Sequence, residues 1–225
     1  MILFLIISIA YAATLLLVKP APTSLKAKTF TFLQNLKQVK AALVLGELLI
    51  VIFYVITDFS FIKINENLYR TFSLPGGFNL NKLWFLQSIT HLFIHLNFIH
   101  IVSNVSVLGL MSIYERRVGS TRFLKVLTAS SIASIPSALF YSSESTICGI
   151  SGGIFGLAAA YFTDQKAITT KEWLQAIIFF IVIVAALSFA DGLKSSNISD
   201  SFQVDYLGHI LGAIGGIVYC KLKPS

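Results

Sequence analysis

Residues 148–162 read CGISGGIFGLAAAYF. The stretch is almost wholly apolar, yet it carries one hydroxyl, Ser151, with Gly149 before it and Gly152 and Gly153 after it. Two readings fit these residues in isolation. They are a small-residue surface that lets two helices pack closely, or they frame a nucleophile. The rest of the chain has to separate the two.

The chain has 225 residues, 56% hydrophobic and 12% charged, with a mean hydropathy of +0.80. Soluble domains carry about 25% charged residues. Half that share cannot cover a water-facing surface, so the chain reads as an integral membrane protein. A spanning helix takes about 20 residues, and apolar runs fall at 1–18, 41–57, 92–113, 123–141, 147–163, 173–190 and 205–220. The fold class expected is an all-α, polytopic membrane helix bundle. Cys148 and Cys220 lie in different apolar segments, a poor disulfide signal. No nucleic-acid motif is present, and no cofactor is implied.

Seven spans place links 19–40, 114–122 and 164–172 and the C-terminus on one side. That side holds Lys19, Lys26, Lys28, Lys37, Lys40, Arg116, Arg117, Arg122, Lys125, Lys166, Lys171, Lys221 and Lys223, which is 13 of the 17 basic residues. Lys63, Arg70, Lys82 and Lys194 fall on the other side. Positive charge concentrates in cytoplasmic loops, so the richer side is expected to be cytoplasmic. The net charge of +7 then needs no acidic partner. The run 1–18 reads as a retained helix, because no Lys or Arg precedes it as in a secretory signal. The long link 58–91 falls outside the cell. Its Phe59, Phe61, Tyr69, Phe72, Phe78, Trp84 and Phe85 point to a place in the membrane interface.

Polar side chains inside spans are costly and mark functional sites or partner contacts. The segment HLFIHLNFIHIVSN carries His91, His95, Asn97, His100 and Asn104. On one continuous helix at about 100° per residue, His91 and His95 lie about 40° apart and His100 roughly 140° further on. One ion could not take all three, so no metal site is expected. His91 and His95 read instead as entrance residues bonded to loop groups. His100 and Asn104 are i,i+4 and share a face. They are either polar contacts between helices or a donor pair for a developing negative charge. In the last run, His209 begins a strip with Gly212 and Gly216 that lets another backbone come close. The run around Ser151 offers a complementary small surface. Packing alone and a Ser–His pair both remain open on spacing.

In these residues the chain resembles the rhomboid intramembrane serine proteases. Gly149-Ile150-Ser151-Gly152 matches their GxSG motif. His95, His100 and Asn104 match their H-x4-H-x3-N, and His91 fits a common pattern four residues earlier. His209, Gly212 and Gly216 match their histidine followed by GxxxG, and Glu115 to Gly119 is similar to their ExxxG. The likeness covers about residues 80–220 in the family's order. It implies a six-helix core at 41–225 with the external loop 58–91, preceded at 1–40 by an extra N-terminal helix and a basic cytoplasmic linker.

The resemblance implies Ser151 as nucleophile and His209 as general base and later acid. It gives oxyanion stabilisation to His100, Asn104 and the backbone at Ser151 and Ile150. Supporting roles fall to Phe155, Gly149, Gly152, Gly212, Gly216 and His95, with the Phe155 ring stacked on the imidazole. It further implies transmembrane protein substrates, a lipid bilayer as surroundings, no nucleic-acid partner and a bacterial inner membrane with the active site facing outward. The family's Trp-Arg pair is absent, since Trp84 is followed by Phe85. Asp205, four residues before His209, reads either as a third catalytic member or as a cap. The competing readings are a catalytically inert relative that binds membrane helices and a transporter. Inert relatives typically lack the serine or the histidine, and a transporter is disfavoured by the absence of duplicated halves. Ser151, His209 and His100 are expected at similar depth, with His100 about a third of the way down its helix.

Overall fold

The computed structural model describes residues 2–17, 32–62, 64–78, 82–164 and 204–224. The run 173–190, expected as a spanning helix, lies outside the described residues, as do Lys19, Lys26, Lys28, Lys63, Lys166, Lys171 and Lys194.

The described chain is helical apart from one short strand pairing. Helix α1 (Ile2–Leu17) is followed by a short α2 (Phe32–Lys37) and by α3 (Lys40–Ile56). Both α1 and α3 pack on α6 (Phe98–Val118). A second group consists of α7 (Ser120–Ser134), α8 (Ser151–Thr163) and α9 (Tyr206–Leu222), each packed on the other two. Among the described residues, two stretches are long and apolar enough to cross a bilayer: Phe98–Val118, and Ser120–Phe140, where α7 continues as a 3-10 turn. At 1.5 Å per residue each spans about 31 Å, close to a hydrocarbon core. Helices α1 and α9 are shorter and also apolar.

The loop 58–91 is not featureless. It forms α4 (Glu66–Phe72), the strand β1 (Leu74–Pro75) and α5 (Trp84–Thr90). Strand β1 pairs antiparallel with β2 (Thr146–Ile147), Leu74 opposite Ile147 and Pro75 opposite Thr146. Trp84 packs on the small cluster of Leu74, Ala138 and Ile147. The loop is thereby tied to the segment that leads into Ser151.

The run 92–113 departs from expectation. His91–Phe93 is a 3-10 turn, the backbone then breaks, and α6 starts only at Phe98. Asn97 is the cause. Its side chain accepts the His100 N–H at 2.9 Å and caps the helix, and Asn is among the strongest N-cap residues. His91, His95 and His100 therefore do not share one helix. The angular argument made for a continuous helix does not apply to them.

Two buried carboxylates organise the bundle end remote from Ser151. Glu115 is fully buried near the end of α6. Its oxygens accept the N–H groups of Ala41 at 2.8 Å and Ala42 at 2.9 Å, and the Ser120 hydroxyl at 2.5 Å. First-turn N–H groups have no partner within their helix, and the dipole there favours an anion. One side chain thus joins α3, α6 and α7. Asp164, at the end of α8, receives Arg122 Nε at 2.6 Å, Arg122 Nη2 at 2.7 Å and the Tyr114 hydroxyl at 2.7 Å. Burial pushes its carboxyl up, but the Arg122 and Tyr114 bonds outweigh that and hold it below its ordinary value.

Removing one partner of a buried pair leaves an uncompensated charge, at a cost of about 3–5 kcal/mol. Arg122→Ala is expected to lower the melting temperature in detergent accordingly. A carboxyl held low contributes stability above its ordinary pKa of about 4 and loses it as pH falls through its folded value. The parent should therefore lose stability in acid below pH of about 4, and Arg122→Ala should lose less over that range.

Candidate active site

Ser151 is the first residue of α8 and His209 the fourth of α9. Both helices start at the same end of the bundle. The Ser151 Oγ and His209 Nε2 are 2.8 Å apart. Their separation follows from the backbones beneath them. A Cβ on Gly212 would overlap the Gly152 carbonyl oxygen, and one on Gly216 would overlap that of Gly156. No other residue type allows this approach without moving a helix. The Phe155 ring lies on the His209 imidazole, centroids 4.2 Å apart and planes 14° from parallel. Residues four apart on a helix share a face, so Phe155 follows Ser151 to the same imidazole. Tyr206 meets the imidazole edge-on at 6.5 Å. A hydroxyl bonded to an imidazole is the arrangement that lets the base remove its proton.

Asp205 is the cap of α9. Its carboxylate accepts the Gly208 N–H at 2.7 Å, the Ser137 hydroxyl at 2.6 Å and the Tyr141 hydroxyl at 3.0 Å. Of its two readings the geometry favours the cap, since these bonds turn the carboxylate toward α7's extension.

His100 stands in the first turn of α6, not a third of the way down, because the helix starts at Phe98. That turn meets the chain just before Ser151. Gly149 adopts φ +102°, a left-handed region that favours glycine, and a Cβ there would lie 2.8 Å from His100 Nε2 and 3.5 Å from Asn104 Nδ2. The two side chains flank Gly149. Asn104 Nδ2 donates to the His100 carbonyl at 3.2 Å. Ile150 is the N-cap of α8, its carbonyl accepting the Ile154 N–H at 3.1 Å. The α8 N-terminus adds a partial positive charge at the same place.

His91 and His95 do not line an entrance, because both are buried. His91 Nδ1 bonds the Gln87 carbonyl at 2.9 Å, and its own carbonyl accepts the Gly149 N–H at 2.8 Å. It thereby holds the backbone before Ser151. His95 packs edge-on to the His100 ring with centroids 5.0 Å apart. Reasoning from spacing missed Cys148, whose sulfur lies 4.0 Å from His100 Nδ1, and Tyr69, whose hydroxyl accepts from that thiol at 3.9 Å and from the Thr146 hydroxyl at 2.9 Å. Adjacency to Gly149 was the one available signal for Cys148; Tyr69 had none.

Gly149→Ala is expected to strain the backbone by about 1–2 kcal/mol and to push His100 away from Gly149. A fall in melting temperature, and a shift of the His100 ring resonances, would register the two effects separately.

No curated protein matches the chain. A family model described as the Rhomboid domain matches residues 81–223. The match begins just before α5 and runs through α9, so it takes in Ser151, His209, His100, Asn104, Gly149 and Phe155 but not Tyr69. With well over half of its length matched, the chain belongs to the rhomboid family of membrane proteins.

Proposed function

We propose that the protein is an intramembrane serine endopeptidase, cleaving peptide bonds in or near transmembrane segments of other membrane proteins. The observation that carries this reading is the 2.8 Å contact of Ser151 Oγ with His209 Nε2 at the start of α8. Membership in a family whose proteins are usually serine intramembrane proteases supports it.

The steps follow from the placement. His209 Nε2, with a free lone pair, takes the Ser151 proton as Oγ attacks the scissile carbonyl carbon. The carbonyl oxygen becomes an anion beside Gly149, where the side chains of His100 and Asn104 and the α8 N-terminus can stabilise it. The tetrahedral centre collapses, and His209 gives its proton to the departing amine. Water then repeats the sequence on the acyl-enzyme, losing its proton to His209 and releasing the acid and Ser151. Phe155, stacked on the ring, keeps the imidazole facing Ser151.

Orientation belongs to the same proposal. Helices α6, α8 and α9 all run from the Ser151 end toward the end bearing Arg116, Arg117, Lys221 and Lys223. Basic residues favour the cytoplasmic face, which turns Ser151 outward, where water for hydrolysis is available.

The test is cleavage of a model transmembrane substrate by purified protein in proteoliposomes. Ser151→Ala and His209→Ala should each lower kcat by on the order of 10^4 or more, and the double variant should be no worse, because the pair acts as a unit. His100→Ala should cost about 10^2 to 10^3 in kcat, the loss typical of one oxyanion donor. Cleavage by Ser151→Ala at the parent's rate would refute the reading. A parent that binds membrane helices without cutting them would point to an inert relative.

A further inference from the structure

His209 stands in the first turn of α9, short of the Gly212–Gly152 contact that sets the spacing of the two helices. Helix ends fray, and an imidazole on a frayed turn would not stay within a hydrogen bond of Ser151. The first turn needs a hold of its own.

That hold comes from the extension of α7. First-turn N–H groups have no partner within their helix. Here the Tyr206 N–H meets the Val204 carbonyl at 2.9 Å, the Leu207 N–H meets the Tyr141 oxygen, and the Gly208 N–H meets the Asp205 carboxylate at 2.7 Å. The same carboxylate receives the Ser137 hydroxyl at 2.6 Å and the Tyr141 hydroxyl at 3.0 Å. Ser137 is buried in the 3-10 turn that extends α7, and Tyr141 follows that turn and packs on Leu74, Ala138 and Ile147. Gly208 leaves the carboxylate its place, since a Cβ there would overlap it. On the α8 side, the Gly208 carbonyl oxygen comes within 3.3 Å of where a Gly152 Cβ would lie. The backbone beneath His209 is thus fixed between the extension of α7 and the start of α8.

We propose that Asp205, Ser137 and Tyr141 are positioning residues that hold the first turn of α9 so that His209 Nε2 stays on the Ser151 hydroxyl. Asp205 acts through the Gly208 backbone, not as a charge on the imidazole. Its oxygens serve as acceptors, a task that an amide can largely perform. In Asp205→Asn the amide oxygen keeps Gly208 and Tyr141, which bond the same carboxylate oxygen. The amide N–H then meets the Ser137 oxygen, whose own proton turns aside. Asn is also as good an N-cap as Asp. A third catalytic member would behave differently, because an amide cannot stabilise the imidazolium as a carboxylate does. The effect on cleavage rests on the protease reading above; the effect on the Ser151–His209 contact does not.

The experiment is long-range 1H–15N correlation on the full chain labelled at its four histidines, in detergent micelles. His209→Gln assigns the His209 signals, and Ser151→Ala marks the Nε2 shift without the serine bond. Asp205→Ala should move Nε2 toward the Ser151→Ala position, Tyr141→Phe and Ser137→Ala should move it part of the way, and Asp205→Asn should leave it near the parent's. In the cleavage assay, Asp205→Ala should lower kcat by about 10^2, the cost of misplacing reacting atoms by on the order of 1 Å, with KM unchanged. Tyr141→Phe and Ser137→Ala should each cost about fivefold, the worth of one ordinary hydrogen bond. Asp205→Asn should return kcat to within about threefold of the parent. Asp205→Asn as damaged as Asp205→Ala would overturn the proposal in favour of a charged role, and Asp205→Ala with the parent's spectrum would overturn it outright. If Asp205→Ala does not fold, Tyr141→Phe and Ser137→Ala decide, and the parent's Nε2 shift and kcat in both would overturn it. Cleavage that survives Ser151→Ala would sink the protease reading instead, and the spectra would still decide this one.

Discussion

The spacing of α8 and α9 is the constraint on which the rest depends. Gly152 meets Gly212 and Gly156 meets Gly216 backbone to backbone, with no room for a Cβ at either point. In a membrane, helices gain little from hydrophobic burial against one another, and close backbone packing takes over much of that role. Here the same packing also sets a distance of 2.8 Å between two side chains. Stability and site geometry therefore draw on one set of contacts.

The remote end complements this arrangement with charge. Glu115 joins three helices by accepting from the start of α3 and from Ser120, and Asp164 joins α8 to α6 and α7 through Tyr114 and Arg122. Each carboxylate is buried with at least three donors, the condition under which a buried charge is tolerated. Polar fastening far from Ser151 leaves the near end free to be built from glycines and aromatic rings. It also gives Arg116, Arg117 and Arg122 structural partners, including the Leu15 carbonyl for Arg116 and the Tyr161 carbonyl for Arg117. Their charge sets sidedness in the sequence reading, and their hydrogen bonds join helices in the fold.

The loop 58–91 is the third element. Its strand pairing with residues 146–147, the Trp84 anchor and the Tyr69–Thr146 bond all converge on the segment before Ser151. An arginine beside Trp84 is absent, and these contacts hold the loop in its place. The His91 carbonyl adds a direct bond to Gly149. Four separate contacts thus bear on the few residues that enter α8.

Local sequence carried a good deal. Apolar run length and charge scarcity implied membrane helices, and α3, α8 and α9 begin within a few residues of the runs that announced them. It erred where a single side chain overrode hydrophobicity, as when Asn97 moved the start of α6 to Phe98 and separated His91 and His95 from His100. It also left the loop blank, because α4, β1 and α5 are short and draw their order from distant partners. By itself the sequence determined a helical membrane protein and named Ser151, His209, His100 and Asn104 as the polar groups in need of an explanation. Only the tertiary structure decided that Ser151 and His209 touch across 58 residues of chain and that Asp205 serves as a cap. Spacing along one helix is a local property, whereas a contact between two helices depends on where every packed backbone between them comes to rest.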